Sequence, residues 1–473
     1  MIPRIVRLGS AAAVICCAGC ALHEAQPKAP VLPPAFEARS AAGDAAWPSQ
    51  DWYKGFGSPE LQALIDQAAR GNLDLTMARA RVTQADARAR QAGAAILPSV
   101  DAGGNGNYLA GHSVNGTAHE TDWAALLSAS YEIDFWGKNR ATARSASLLA
   151  DASKADRDTL ALTTLAGVAD GYFQVLALRN RLSVATANWD AARKLLEVIQ
   201  ARFDVGMANP VELSTQKAVL ATAGLVLPEL RQQEAEALAA LAVLLGHAPE
   251  QFSVEARSLD SLVEPVVGAG LPSELLRRRP DLFMAEANLQ AANADLLAAH
   301  AALYPSLTLT AAGGVQNPAL NAAVISLSGT GPTLNLGAAI TQNIFDRGRL
   351  RAVRAEAQAR EDELVAAYSA AILSALVDVE NALSALHHLD DARAPQEQSV
   401  AESERAFEGA TLRYKAGSGD FLSVLEAQRT LYAARDQYSQ YKLARFQAVV
   451  ALCKALGGGW QAPAPKSAIK DSQ

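Results

Sequence analysis

"AILPSVDAGGN" spans Ala95 to Asn105, and "ALYPSLTLTAAGG" spans Ala302 to Gly314. Each follows a long alanine-rich helical pattern, and each then changes to an alternation of small, polar and apolar residues. Pro98 and Pro305 mark the change. A proline offers no N–H to a helix interior and disfavours helical geometry in the residue before it. The same change, made twice and 207 residues apart, indicates an internal duplication.

Upstream of the first proline, Leu75, Ala78, Val82, Ala85, Ala89, Ala92 and Ile96 recur at steps of three and four. Upstream of the second, Leu282, Ala285, Leu289, Ala292, Leu296, Ala299 and Leu303 repeat the same steps. This spacing fits either a left-handed helical supercoil with a small-residue seam or an ordinary amphipathic helix. Downstream, 99–110 and 306–316 read as strands, with partners at 123–135 and 333–345. "GHSVNGTAHET" and "NPALNAAVISLSGT" lie between the members of each pair as turn regions, the first containing Asn115-Gly116. Ala125, Leu127, Ala129, Tyr131 and Ile133 share one face. Leu334, Leu336, Ala338, Ile340 and Gln342 share another. Few charges interrupt these strands, and about 9–11 tilted residues suffice to cross a bilayer. The alternative is a soluble ribbon packed on helices.

A helical stretch follows each hairpin, at 138–205 and 349–415, long enough to run roughly 100 Å. Each ends in a matching elbow, "ARFDVGMANPVEL" and "LRYKAGSGDFLSV". Arg202 aligns with Arg413, Phe203 with Tyr414 and Gly206 with Gly417. Return helices occupy 210–246 and 420–456. The repeats are thus expected at 51–250 and 272–457, joined by a linker at 251–271, with an unstructured tail at 458–473.

The first residues differ from the rest. "MIPRIVR" is basic, and "LGSAAAVICCAG" is a short apolar run ending before Cys20. This reads as a signal peptide at 1–19, too short to span a membrane. Ala18 and Gly19 before Cys20 fit a lipoprotein processing site, with Cys17 standing where a leucine is usual. A Pro- and Ala-rich tether then covers 20–50. Cleavage would leave Cys453 as the unmodified cysteine, in an apolar helical stretch, with no internal disulfide.

Apolar residues are 50 % of the 473, aromatics 6 %, and the net charge is −7. The longest basic run is Arg277-Arg278-Arg279, so nucleic acid is not an expected partner. HExxH, GxSxG and P-loop patterns are missing, and the adjacent His387 and His388 lack metal-ligand spacing. No enzyme, cofactor or metal site is expected.

Four strands cannot close a barrel, and an open edge in lipid strands backbone polar groups. Three chains would supply twelve strands. The expected fold is therefore membrane α+β, a trimeric 12-stranded barrel continuous with a long α-helical barrel. "YEIDFWGKNR", "RPDLFMAEANLQAANADLLAAHAALYPSL", "IFDRGRLRA" and "LRYKAGSGDFLSVLEAQRTLY", with "CAGC", together resemble the outer-membrane efflux protein family, the TolC family. Within it the sequence is similar to the lipid-anchored branch serving resistance-nodulation-division pumps. The resemblance covers about residues 50–457. It implies a homotrimer in the outer membrane reaching into the periplasm, a lipid on Cys20, a periplasmic adaptor and an inner-membrane pump as partners, and a passive duct for small molecules.

The resemblance also implies a gate at the second elbow. The family's Leu and Asp before "AQR" match Leu422 and Glu426, the acid being replaced by a longer one, and Ser423 stands where some members carry a second acid. Three Glu426 side chains around an axis would repel one another and attract cations. Read without the family, Glu426 is a solvated acid near a helix start. Asp420 would add negative charge, and Arg413 and Tyr414 would hold the gate closed or simply pack the elbow. Gly206 and Gly417 allow turns of positive φ and are expected adaptor contacts. Two other readings stay open: a duct for type I protein secretion, and a periplasmic coiled-coil lipoprotein without a pore.

Overall fold

The computed structural model describes residues 32–36, 47–113, 116–268, 270–317 and 331–463. Cys20, the expected signal peptide and most of the expected tether lie outside them. The chain divides into two compact units.

The first unit comprises 85–150 and 286–369 among the described residues. It contains β1 (Ser99–Ser113), β2 (Gly116–Ile133), β3 (Ser306–Asn317) and β4 (Gly331–Thr341). They form one antiparallel sheet in the order β1-β2-β3-β4. The sequence suggests two separate hairpins. Pairing of β2 with β3, from Trp123↔Asn317 to Ile133↔Leu307, joins them and leaves β1 and β4 as the edges. The first hairpin is longer than the expected 99–110 and 123–135. Its ladder reaches Ser113↔Gly116, so most of the anticipated turn region is strand. β4 covers 331–341 rather than 333–345. Gln342 lies past its end, with Nε2 donating to the Leu303 and Asn343 carbonyls, and so leaves the apolar face assigned to it.

The second unit comprises 32–36, 47–84, 151–268, 270–285 and 370–463 among the described residues and is mainly helical. The long helices among the described residues are α1 (Pro59–Gly71), α2 (Leu73–Ala94), α3 (Lys138–Asp204), α4 (Pro210–Leu245), α5 (Pro280–Ala301), α6 (Arg349–Lys415) and α7 (Phe421–Ala455). α3 and α6 are each 67 residues long, and α6 continues through Pro395. Both hold windows apolar enough to cross a membrane by composition, but half of the α3 window is buried in the protein. There Tyr172 and Phe173 pack with Phe56, Leu61, Leu241 and Phe446 in a core that also holds Cys453. Burial pushes the Cys453 thiol up to about 12, so it is inert at neutral pH.

Polar ties fix the ends of the repeats. Ser58 caps α1 and meets the Tyr172 hydroxyl at 3.0 Å. In the "RRRPDL" stretch, buried Arg279 donates to Asp281 and Asp378 and to the Ala455 carbonyl at 2.7, 3.0 and 3.0 Å. The unstructured tail expected from 458 is ordered over its first residues. Trp460 packs at 5.8 Å from Phe283 and donates to Asp158 at 3.0 Å. An indole with an apolar face and one N–H donor can use both at such a site.

Candidate functional site

Two places carry the chemistry, one in each unit. The first is the sheet. Side chains alternate across a strand, and directly paired residues share a face. The register therefore puts Val100, Ala102 and Tyr108 with Trp123, Leu127 and Tyr131. It extends that face through Leu307, Leu309, Ala311 and Val315 to Leu334, Leu336, Ala338 and Ile340. Leu334, Leu336 and Ile340 are 74–76 % exposed. The opposite face carries Ser99, Asp101, Asn105 and Asn107, then Ser128, Ser130 and Glu132, then Thr308, Thr310, Asn335 and Thr341, with Leu126 as an apolar exception. No Lys or Arg occurs in the four strands. One apolar and one polar face over four strands is the pattern of a sheet between lipid and water. An apolar surface of this extent is not left in water by a soluble monomer.

Where β2 leaves the sheet, Trp136 stacks on Tyr304 at 4.6 Å and donates to the Pro305 carbonyl at 2.8 Å. It therefore ties the end of β2 to the start of β3. Asp134 and Asp346 occupy matching places before α3 and α6. Asp134 accepts from the Asn139 and Arg140 amides at 3.0 and 2.8 Å, and Asp346 from the Gly348 and Leu350 amides at 2.9 and 3.0 Å. For Asp346 these bonds hold the carboxyl below its usual range.

The second place is the pair of elbows. Both close the same way. Met207 N–H donates to Arg202 O and Gly206 N–H to Phe203 O, at 2.7 and 2.9 Å. Ser418 N–H donates to Arg413 O and Gly417 N–H to Tyr414 O, both at 3.0 Å. This is the Schellman arrangement, and its left-handed residue favours glycine. Gly206 and Gly417 have φ of 74° and 75°. Asn209 and Asp420 then cap α4 and α7 through the Glu212 and Ser423 amides. The Ser423 amide and hydroxyl hold the Asp420 carboxyl below its usual range, so it stays ionised.

The aligned residues nevertheless differ in role. Tyr414 is buried with Leu195, Ile199, Leu213, Phe421 and Val424, while its counterpart Phe203 packs at the edge of that cluster. The Arg202 guanidinium stacks 4.5 Å over the Tyr414 ring and donates to the Tyr414 carbonyl. The Tyr414 hydroxyl donates to Glu212 at 3.1 Å. Burial, then the Glu212 carboxylate, raise the phenol above its ordinary range. Arg202, Tyr414 and Glu212 thus clasp the two elbows of one chain together. Arg413, expected in that role, is exposed. Arg202 and Glu212 were not singled out from the sequence. Their only signal is that they flank the matching elbow.

Leu422 and Glu426 lie one turn apart on α7, and both are about 63 % exposed at their side chains. Arg429 stands 3.8 Å from Glu426 on the same helix, an exposed pairing of small energetic weight. The first elbow presents Val205, Met207 and Val211, each about 70 % exposed. The second presents Lys415, Ser418 and Asp420 instead. Among the described residues no group of three or more His, Cys, Asp or Glu is placed to hold a metal ion.

A profile of the outer membrane efflux protein family matches residues 64–247 and 271–458. The chain belongs to that family. Its sequence is 44 % identical over 431 residues to the pyoverdine export outer membrane protein OpmQ of Pseudomonas aeruginosa, covering 89 % of this chain and 90 % of the relative. It is 30 % identical to the toluene efflux pump outer membrane protein TtgC of Pseudomonas putida, covering 92 % and 91 %. Among solved structures, the outer-membrane channel OprN superposes with a TM-score of 0.85 at 27 % identity, covering 92 % of this chain and 99 % of that one. The open state of the Neisseria gonorrhoeae channel MtrE gives 0.80 at 30 % identity, covering 92 % and 97 %. This efflux protein is the outer-membrane channel component of a tripartite efflux system. Its fold is the TolC-like α+β fold with duplicated helical hairpins.

Proposed function

We propose that three copies of this chain close a twelve-stranded barrel with the apolar face toward lipid and the polar face toward a water-filled lumen. One observation carries the reading: a four-stranded sheet, predominantly apolar on one face, ends in two unpaired edges. In lipid those edge amides and carbonyls need partners, and further copies of β1 and β4 supply them without any other protein. The helical parts then lie in the periplasm, where an adaptor and an inner-membrane pump of the resistance-nodulation-division type deliver substrate. The conduit is passive, and the energy comes from the pump.

The elbows form the gate in this reading. Leu422 and Glu426, exposed in one chain, face the axis as an apolar and an acidic ring. Asp420 adds charge, and the Tyr414 clasp holds the hairpins together. Gly206 and Gly417 shape the tips that meet the adaptor. Acylated Cys20 anchors the tether in the outer membrane. Siderophore-like small molecules are the proposed cargo, on the strength of the pyoverdine-exporting relatives. Single-particle electron microscopy of the detergent-purified protein tests the assembly. A three-fold particle with a central channel is expected, and a monomer or a channel-free rod would refute it. Loss of siderophore secretion on deletion, restored by the gene, tests the cargo.

A further inference from the structure

The segments that follow β2 and β4 share an arrangement that the conduit does not explain. Phe135, Ile344 and Phe345 are 72, 94 and 82 % exposed just beyond the last strand residues. Cations follow at once: Lys138, Arg140 and Arg144 after β2, and Arg347, Arg349, Arg351 and Arg354 after β4. The first turns of α3 and α6 contain no acid. This opposes the usual preference, since the start of a helix favours negative charge and disfavours positive. The helix-start amides are already occupied by Asp134 and Asp346, so the side chains are what this surface offers.

Some of these cations are used within the chain. Lys138 pairs with Glu132 at 2.6 Å and Arg140 with Asp134 at 3.2 Å. Among the described residues, Arg144, Arg347, Arg351 and Arg354 have no acidic partner, and all four are exposed. Arg351 and Arg354, three residues apart, share a face of α6. Arg347 has φ 55°, the one non-glycine residue with positive φ among the described residues. A left-handed backbone favours glycine. An arginine there keeps its charge against that local preference.

We infer that this belt of exposed aromatic and basic side chains binds the anionic headgroups of phospholipids in the periplasmic leaflet of the outer membrane. The inference rests on the reading of the sheet as a membrane wall. Phe135, Ile344 and Phe345 follow the strands directly and are exposed, so they would sit at the acyl boundary, and the arginines follow where the phosphates lie. Basic clusters beside a membrane segment gain affinity for anionic lipid roughly in proportion to their charge. The strand ends 99, 133, 306 and 341 all adjoin helices, so this rim is the periplasmic one.

The test uses the full-length protein in nanodiscs of equimolar phosphatidylglycerol and phosphatidylethanolamine, with retained lipids counted by native mass spectrometry. The wild type should retain phosphatidylglycerol preferentially. Arg347→Gly with Arg351→Gln and Arg354→Gln should lose most of that preference, about fivefold per arginine at low salt. Arg347→Gly alone should lose a share of it without loss of thermal stability, because glycine suits the backbone there. Arg393→Gln with Arg405→Gln, exposed in the C-terminal half of α6, should change nothing. Equal retention of both lipids by an inserted wild type overturns the proposal while leaving the barrel intact. A triple variant that inserts but changes oligomeric state also overturns it, since the arginines would then face a second copy. Failure of the wild type to insert into either lipid overturns the membrane reading itself, and the proposal with it.

Discussion

Tyr414→Phe isolates the elbow clasp, because it removes one hydroxyl and keeps the ring that Arg202 and Phe421 pack on. The lost contact is the 3.1 Å hydrogen bond to Glu212. A bond to a charged acceptor is worth about 1.5–3 kcal/mol. This one is long and its acceptor is half-buried, so about 1 kcal/mol per chain is the reasoned value. That is roughly a fivefold shift in the opening equilibrium of each chain. If all three hairpin pairs must move together, the shifts multiply to on the order of a hundredfold. Planar-bilayer recording of the purified trimer measures this as open probability, and Glu212→Gln should move it the same way with a smaller size. The clasp would lose its gating role if Tyr414→Phe left open probability unchanged in a trimer that Leu422→Ala does open.

Three further outcomes are expected. Gly206→Ala and Gly417→Ala should each cost about 1 kcal/mol from the left-handed backbone, because a Cβ there meets no atom within 4 Å; Gly93→Ala, in a helix with similarly open surroundings, should stabilise slightly, and thermal unfolding compares the three. Asp170 is raised to about 6 by burial, partly opposed by Lys454, and its Oδ1 is buried without a hydrogen-bond partner. The folded state therefore holds this proton more tightly than the unfolded chain. Stability should fall as pH rises from about 4 to 6, and Asp170→Asn should relieve up to about 3 kcal/mol at pH 7.5 and little at pH 4, read from melting curves. Glu426→Gln should lower the cation-to-anion permeability ratio measured by reversal potential; an unchanged ratio would remove Glu426 from the constriction, and the nearby Arg429 limits the expected size.

Much was legible in the sequence because it depends on local chemistry. Pro98 and Pro305 end helices whatever surrounds them, and Gly206 and Gly417 adopt the positive φ that an elbow requires. The strand alternation gave the apolar faces, since a period of two is built into the backbone. The repeat was visible because both copies keep these same punctuating residues.

What sequence order could not supply was partnership across distance. Nothing local says that β2 pairs with β3 across more than 170 residues, and that pairing makes four strands one sheet with two open edges. Nothing local distinguishes Arg202 from its aligned Arg413. The first lies over the Tyr414 ring and the second is exposed, because duplicated elbows packed side by side cannot have identical surroundings. Trp460 and Arg279 likewise read as tail and basic run until Asp158, Asp281 and Asp378 stand beside them. Local rules fix where a chain bends and which face is apolar, whereas burial and pairing depend on which segments meet. Those meetings arise only when the whole chain competes for a limited interior.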